Sequence, residues 1–146
     1  MEKIVFVSSI NTVIGQIAEC LFNASAIEKG LTVRAISCGV AAANDEELPF
    51  PALKALWLRG VDTAGCVSRS YSEEIFNSAD LIVALNKQIK FLLPKSDKIT
   101  TVGELSDGDE FTFAPSFEIG EYLDICYTID KFADKLTDKI KNGDIL

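Results

Sequence analysis

Residues 3–37, KIVFVSSINTVIGQIAECLFNASAIEKGLTVRAIS, read as strand, turn, helix and strand. Residues 3–8 are β-branched and aromatic, the composition of a buried strand. A polar turn, Ser9-Ile10-Asn11-Thr12, follows. A helical pattern then runs over 13–29 and stops at Gly30, a C-cap residue. Residues 32–37 make a second strand. Strand, helix and strand within so short a span form a βαβ unit, whose crossover is right-handed in nearly all proteins.

The pattern continues outward. Residues 39–49 are a loop with small residues and an acidic run over 44–47, read as solvated surface. Pro51 suits the first turn of a helix ending near Arg59. Residues 60–70 are loop. Ser72 caps a short helix whose first turn holds Glu73 and Glu74. Residues 80–85, DLIVAL, form a strand buried on both faces. Asn86 caps a short helix ended by Pro94, and residues 98–102 form a fourth strand. A terminal helix spans 117–141, with Ile119, Tyr122, Cys126, Ile129, Ala133, Leu136 and Ile140 on a core-facing stripe. Strands alternating with helices imply a parallel sheet covered on both faces.

At 146 residues the chain has the length of one domain, and 1–146 is read as one. Its net charge of −8 repels a phosphate backbone and an acidic membrane surface, so neither nucleic acid nor membrane is expected as a partner. The opening MEKIVFVSS has too short an apolar stretch for an export signal, which makes the cytosol the expected compartment. Cys20, Cys38, Cys66 and Cys126 are scattered, without ligand spacing, and read as core cysteines. The chain has no histidine, which removes Ser-His triads and most zinc and iron sites; no metal or cofactor is expected.

In a parallel α/β sheet ligands sit beyond the carboxyl ends of the strands. The turn after the first strand is therefore the candidate site: Ser8, Ser9, Ile10, Asn11, Thr12, Val13, Ile14 and Gly15. A strand leading into a helix N-terminus presents free N–H groups and the positive end of the helix dipole. Asn11 tolerates the left-handed backbone such a turn often needs. Ile10, Val13 and Ile14 ring those donors with aliphatic groups, and no Lys or Arg lies between Lys3 and Lys29.

The segment KIVFVSSINTVIGQIAECLF resembles the signature of the low-molecular-weight protein tyrosine phosphatases, a strand leading into C-x-x-x-x-x-R-S and a helix. The resemblance carries Asn11, Ala18, Glu19, Leu21 and Phe22. ISCGV at 36–40, SRSYSEEIFNSADLIVALN at 68–86 and FAPSFEIGEYLDIC at 113–126 are similar to three further family segments, in family order. The resemblance implies a three-layer α/β fold, flavodoxin-like, with a four-stranded parallel sheet flanked by helices.

The resemblance also shows where this chain departs. The family's nucleophilic cysteine falls on Ser8, its phosphate-clamping arginine on Ile14, the adjacent serine on Gly15 and its general-acid aspartate on Ala114, before Pro115. A thiolate attacks phosphorus because an electropositive loop lowers its pKa. The guanidinium grips two oxygens and matches transition-state charge. The aspartic acid protonates the leaving group. With all of these replaced, the expected function is that of a pseudophosphatase that binds a protein partner or small ligand in a pocket lined by Ile10, Val13, Ile14 and Phe117. Two alternatives stay open. One is a hydrolase of altered chemistry, with Glu19, Asp62, Arg69 and Asp80 near the pocket mouth. The other is a phosphotransfer carrier, since sugar-transport IIB subunits resemble the same opening and would also place their cysteine on Ser8.

Overall fold

The computed structural model describes residues 1–9, 13–108, 110, 111, 113 and 118–145. In chain order the elements are β1 (Lys3–Ser8), α1 (Ile14–Glu28), β2 (Arg34–Gly39), α2 (Phe50–Leu58), α3 (Glu73–Ser78), β3 (Leu81–Ala84), α4 (Lys87–Leu92), β4 (Ile99–Thr101), α5 (Val102–Leu105) and α6 (Ile119–Lys141). The strands form one parallel sheet in the order β2-β1-β3-β4, the expected four-stranded α/β architecture.

β1 lies inside the sheet, so its side chains must suit both faces. Ile4 and Phe6 join the larger core cluster, with α1, α2 and α6; Val5 and Val7 join the smaller one, beneath α3 and α4. Leu81 and Val83 of β3 face the first cluster, Ile82 and Ala84 the second. This explains why both strands read as continuous apolar runs rather than alternating ones. Phe6 meets Phe22 of α1 edge to face, with centroids 6.0 Å apart.

β2 occupies 34–39 rather than the expected 32–37. Its register is fixed by pairing with the six residues of β1, from Lys3 opposite Arg34 to Ser8 opposite Gly39. Residues 30 and 31 are spent closing α1: Gly30 adopts a φ of 71°, and the Leu31 N–H donates to the Ala26 carbonyl at 2.9 Å. The caps at Ser72 and Asn86 form as expected, each side chain accepting from the backbone N–H three residues on. One helix was not expected. Thr101 ends β4 and caps α5 with its hydroxyl, and no helical period is visible over four residues.

The terminal stripe on α6 holds from Tyr122 to Ile140, while Ile119 at its start is only partly buried and outside the core clusters; the stripe is also wider than expected, since Ile125, Phe132 and Thr137 are buried as well. Thr137 meets Ser25 of α1 at 2.8 Å, and Lys29 at the end of α1 pairs with Asp134 and Asp138. The cysteines depart from expectation. Cys38 and Cys126 are free and buried, but Cys20 of α1 and Cys66 of the 60–70 loop are joined in a disulfide. Separated by 46 residues in sequence, they are brought together only by the fold.

At the amino-terminal edge of the sheet, the Asp80 carboxylate accepts from the Glu2 and Lys3 N–H groups at 2.8 and 2.9 Å. These bonds, Glu2 first, hold its carboxyl below the ordinary aspartate value. A lowered carboxyl contributes stability above its unfolded pKa and loses it as pH falls through the folded value. Asp80→Ala is therefore expected to lower the melting temperature at pH 7, and the gap from the parent should close as pH falls below the ordinary aspartate range. Thermal melts of both proteins across that range test this.

Candidate functional site

β1 and β3 are neighbours whose following connections run to opposite sides of the sheet, so the switch point lies at their carboxyl ends. Ser8 and Ser9 stand there. The Ser8 carbonyl accepts from the Val40 N–H at 3.0 Å and the Ser9 carbonyl from Ala41 at 2.8 Å, which fastens the 40–47 loop beside the turn. That loop is held in turn by Ser68, whose hydroxyl donates to the Ala43 carbonyl and accepts from the Glu46 N–H. Its acidic residues are exposed, as expected.

Among the described residues the head of α1 carries no polar cap. Val13 stands at the N-cap position without a side-chain hydrogen bond, and the first turn holds no acid. Val13 and Ile14 are half-buried and pack against the larger core cluster, and Gly15 is buried. Ile14, the position that the sequence resemblance assigns to a phosphate-gripping cation, is an aliphatic group packed against the core. Ile10, Asn11, Thr12, Ala114, Pro115 and Phe117, also expected at the site, lie outside the described residues.

The charged residues expected at the mouth do not gather there. Asp80 sits at the opposite edge of the sheet, because it precedes β3 and the site follows the strands' other ends. Asp62 is exposed and accepts from the Ala64 N–H within its own turn. Glu19 and Arg69 do meet, but inward. The Glu19 side chain is 7% exposed. Its Oε1 accepts from Arg69 Nη1 at 2.9 Å, from the Ser37 N–H at 2.7 Å and from the Ser37 hydroxyl at 3.0 Å. Burial pushes the Glu19 carboxyl up from its ordinary value, while Arg69 and Ser37 pull it back. The Arg69 carbonyl also accepts from the Gly39 N–H at 2.9 Å, so this pair braces the end of β2 beside the candidate turn.

Other chemistry is scarce. Cys38 neighbours the turn, opposite Val7 in the sheet, but burial pushes its thiol up to about 12, which keeps it protonated and poorly nucleophilic. Among the described residues no group of three or more carboxylates and cysteines gathers to hold a metal, and no helix is long and apolar enough to cross a membrane. A cavity of about 260 Å³ opens between α1 and α6, near Ser25, Arg59 and Asp130, away from the turn.

The parallel sheet and the helix that follows its switch-point turn define a doubly wound α/β protein, a class that hosts many functions, and comparison with known proteins narrows it. The family model for low molecular weight phosphotyrosine protein phosphatases matches residues 3–142, and the chain belongs to that family. It is 33% identical over 110 residues to a protein-arginine-phosphatase of Bacillus subtilis (strain 168), covering 72% of this chain and 73% of the relative. A low molecular weight protein tyrosine phosphatase from T. tengcongensis superposes with a TM-score of 0.87 at 27% identity, over 95% of this chain and 99% of the other. A cysteine-to-serine variant of the YwlE arginine phosphatase, carrying a phosphorylated active-site serine, gives 0.87 at 27% identity over 95% of each chain.

The Glu19–Arg69 pair generates a prediction. Arg69→Met leaves a buried carboxylate without its cation and is expected to cost about 1–3 kcal/mol in denaturant unfolding at pH 7. A carboxyl raised in the folded state takes up its proton as pH falls, so the cost should shrink in acid. Adding Glu19→Gln removes the stranded charge, and the double variant should lose less than the two single losses combined.

Proposed function

We propose that this chain is a catalytically silent member of its family that acts by binding, through the turn after β1, a protein partner or small ligand. The observation that carries the reading is the head of α1: Ile14, in the place of the family's arginine, packs against the core beside a serine, Ser8, in the place of its nucleophile. A single preorganised charge-stabilising donor is worth ~10²–10³ in rate and a general acid ~10²–10⁴. Ala114 cannot supply the acid, and the chain has no histidine to activate Ser8. In the same reading residues 1–146 are one domain working in the cytosol.

The phosphorylated serine of the arginine phosphatase variant supports a second reading, in which Ser8 accepts a phosphoryl group and keeps it. That reading needs a grip on phosphate that Ile14 does not provide, so the binding reading is preferred.

The purified chain and Ser8→Ala, prepared identically, are to be assayed for hydrolysis of an aryl phosphate and of a phosphoarginine substrate. No rate above blank is expected from either, with no gain of one phosphate in intact mass. A rate or phosphate adduct lost in Ser8→Ala would overturn the proposal. Ser8→Cys alone is expected to stay at blank. Ser8→Cys combined with Ile14→Arg, Gly15→Ser and Ala114→Asp is expected to gain measurable hydrolysis on the unchanged scaffold.

A further inference from the structure

Cys20 and Cys66 belong to neither the candidate turn nor the proposed binding function. Both are buried, at 3% and 9% exposure, and their Cα atoms are 7.0 Å apart, just beyond the usual span of a bridge. Cys20 is fixed within α1. Cys66 follows exposed Ala64 and Gly65 in a loop with little regular structure. Its sulfur lies 3.6 Å from Glu19 Oε2, the carboxylate oxygen turned away from Ser37. A bridged sulfur has no proton to donate, so that contact is a hydrogen bond only when the bridge is open. The site is thus furnished for both states. Closed, the sulfurs are bonded to each other; open, the Cys66 thiol has a buried carboxylate as acceptor. Arg69, on the same carboxylate, places a cation in the cluster.

We propose that Cys66, with Cys20 as its resolving partner, is a site of reversible thiol–disulfide exchange with low-molecular-weight thiols and disulfides. In closing, the Cys66 thiolate attacks a small disulfide, forms a mixed disulfide and releases one small thiolate. Cys20, deprotonated, then attacks Cys66 Sγ and expels the second. Two protein thiols are oxidised to one disulfide, one small disulfide is reduced to two thiols, and the two protons pass to the released thiolates. Opening is the reverse, with a small thiolate attacking Cys66 and Cys20 leaving. Cys66 is the attacked sulfur because it is the more exposed of the two and lies in a loop, whereas Cys20 lies within α1. Closing staples α1 to the loop that carries Arg69, whose carbonyl holds the end of β2, so the state of the bridge reaches one wall of the candidate site.

Cys38 and Cys126 serve as internal references. Both are fully buried, and burial pushes their thiols up to about 12 and about 11.

The full chain is to be equilibrated in glutathione buffers from fully reduced to fully oxidised, quenched in acid and alkylated. Peptide mapping then reads the fraction bridged between 20 and 66. The expected result is a single transition from open to closed within that range, with Cys38 and Cys126 alkylated only after denaturation. Amide exchange over 61–70 should be faster in the open form. Cys20→Ala should trap one glutathione on Cys66, whereas Cys66→Ser should trap none on Cys20. A pair that stays closed in reduced glutathione, or open in oxidised glutathione, would overturn the proposal, and so would trapping on Cys20 instead of Cys66.

Discussion

The Glu19 carboxylate is the joint on which the site end of this molecule hangs. One buried oxygen accepts from the Ser37 N–H, the Ser37 hydroxyl and Arg69, which joins α1, β2 and the 60–70 loop at one point. Taking a carboxylate out of water is costly, and the cost is tolerable only while every partner is in place. The same condition makes the arrangement specific. A shift of β2 by one residue would turn Ser37 to the other face of the sheet and strand the charge. The hydrophobic core supplies most of the stabilisation, but it would accept neighbouring registers more readily than this carboxylate does.

Around that joint, the two ends of the sheet show different chemistry. At the amino-terminal edge Asp80 gathers backbone N–H groups in the open. At the carboxyl edge, where α/β proteins place their ligands, the described head of α1 offers backbone donors beside the aliphatic Val13 and Ile14. An anion arriving there meets the helix dipole, worth typically 0.3–1 kcal/mol, and the aliphatic side chains of Val13 and Ile14. Fold and family membership therefore say little about turnover, because the turnover of a fold resides in a few side chains grafted on it.

Much of this was legible in the chain. Hydrophobic strands, two oxygen caps, Gly30 and the stripe on α6 all report local conformation, and the structure realises each within two residues. What stayed hidden depends on distant partners. The start of β2 is set by β1, not by its own composition. Glu19 looks like a surface acid until α1 is found buried nearly all round, between the sheet and α6, where no amphipathic stripe marks an inner face. Asp80 could be assigned to the site mouth only while its edge of the sheet was unknown, and Asp62 only while its own turn with Ala64 was. Cys20 and Cys66 have no telling spacing, because a pairing made by tertiary structure leaves none.

The placement of β1 also bears on how the chain is made. β1 finds its first neighbour as soon as β2 is synthesised, but its other edge is paired only by β3. Translation proceeds at ~5–20 residues per second, so the stretch from Gly39 to Ala84 takes a few seconds to emerge. Throughout that interval the apolar β1 offers an open hydrogen-bonding edge, the geometry on which strands of other chains pair. A nascent chain of this fold is thus most exposed to aggregation midway through its synthesis, and the arrival of Leu81–Ala84 ends that exposure.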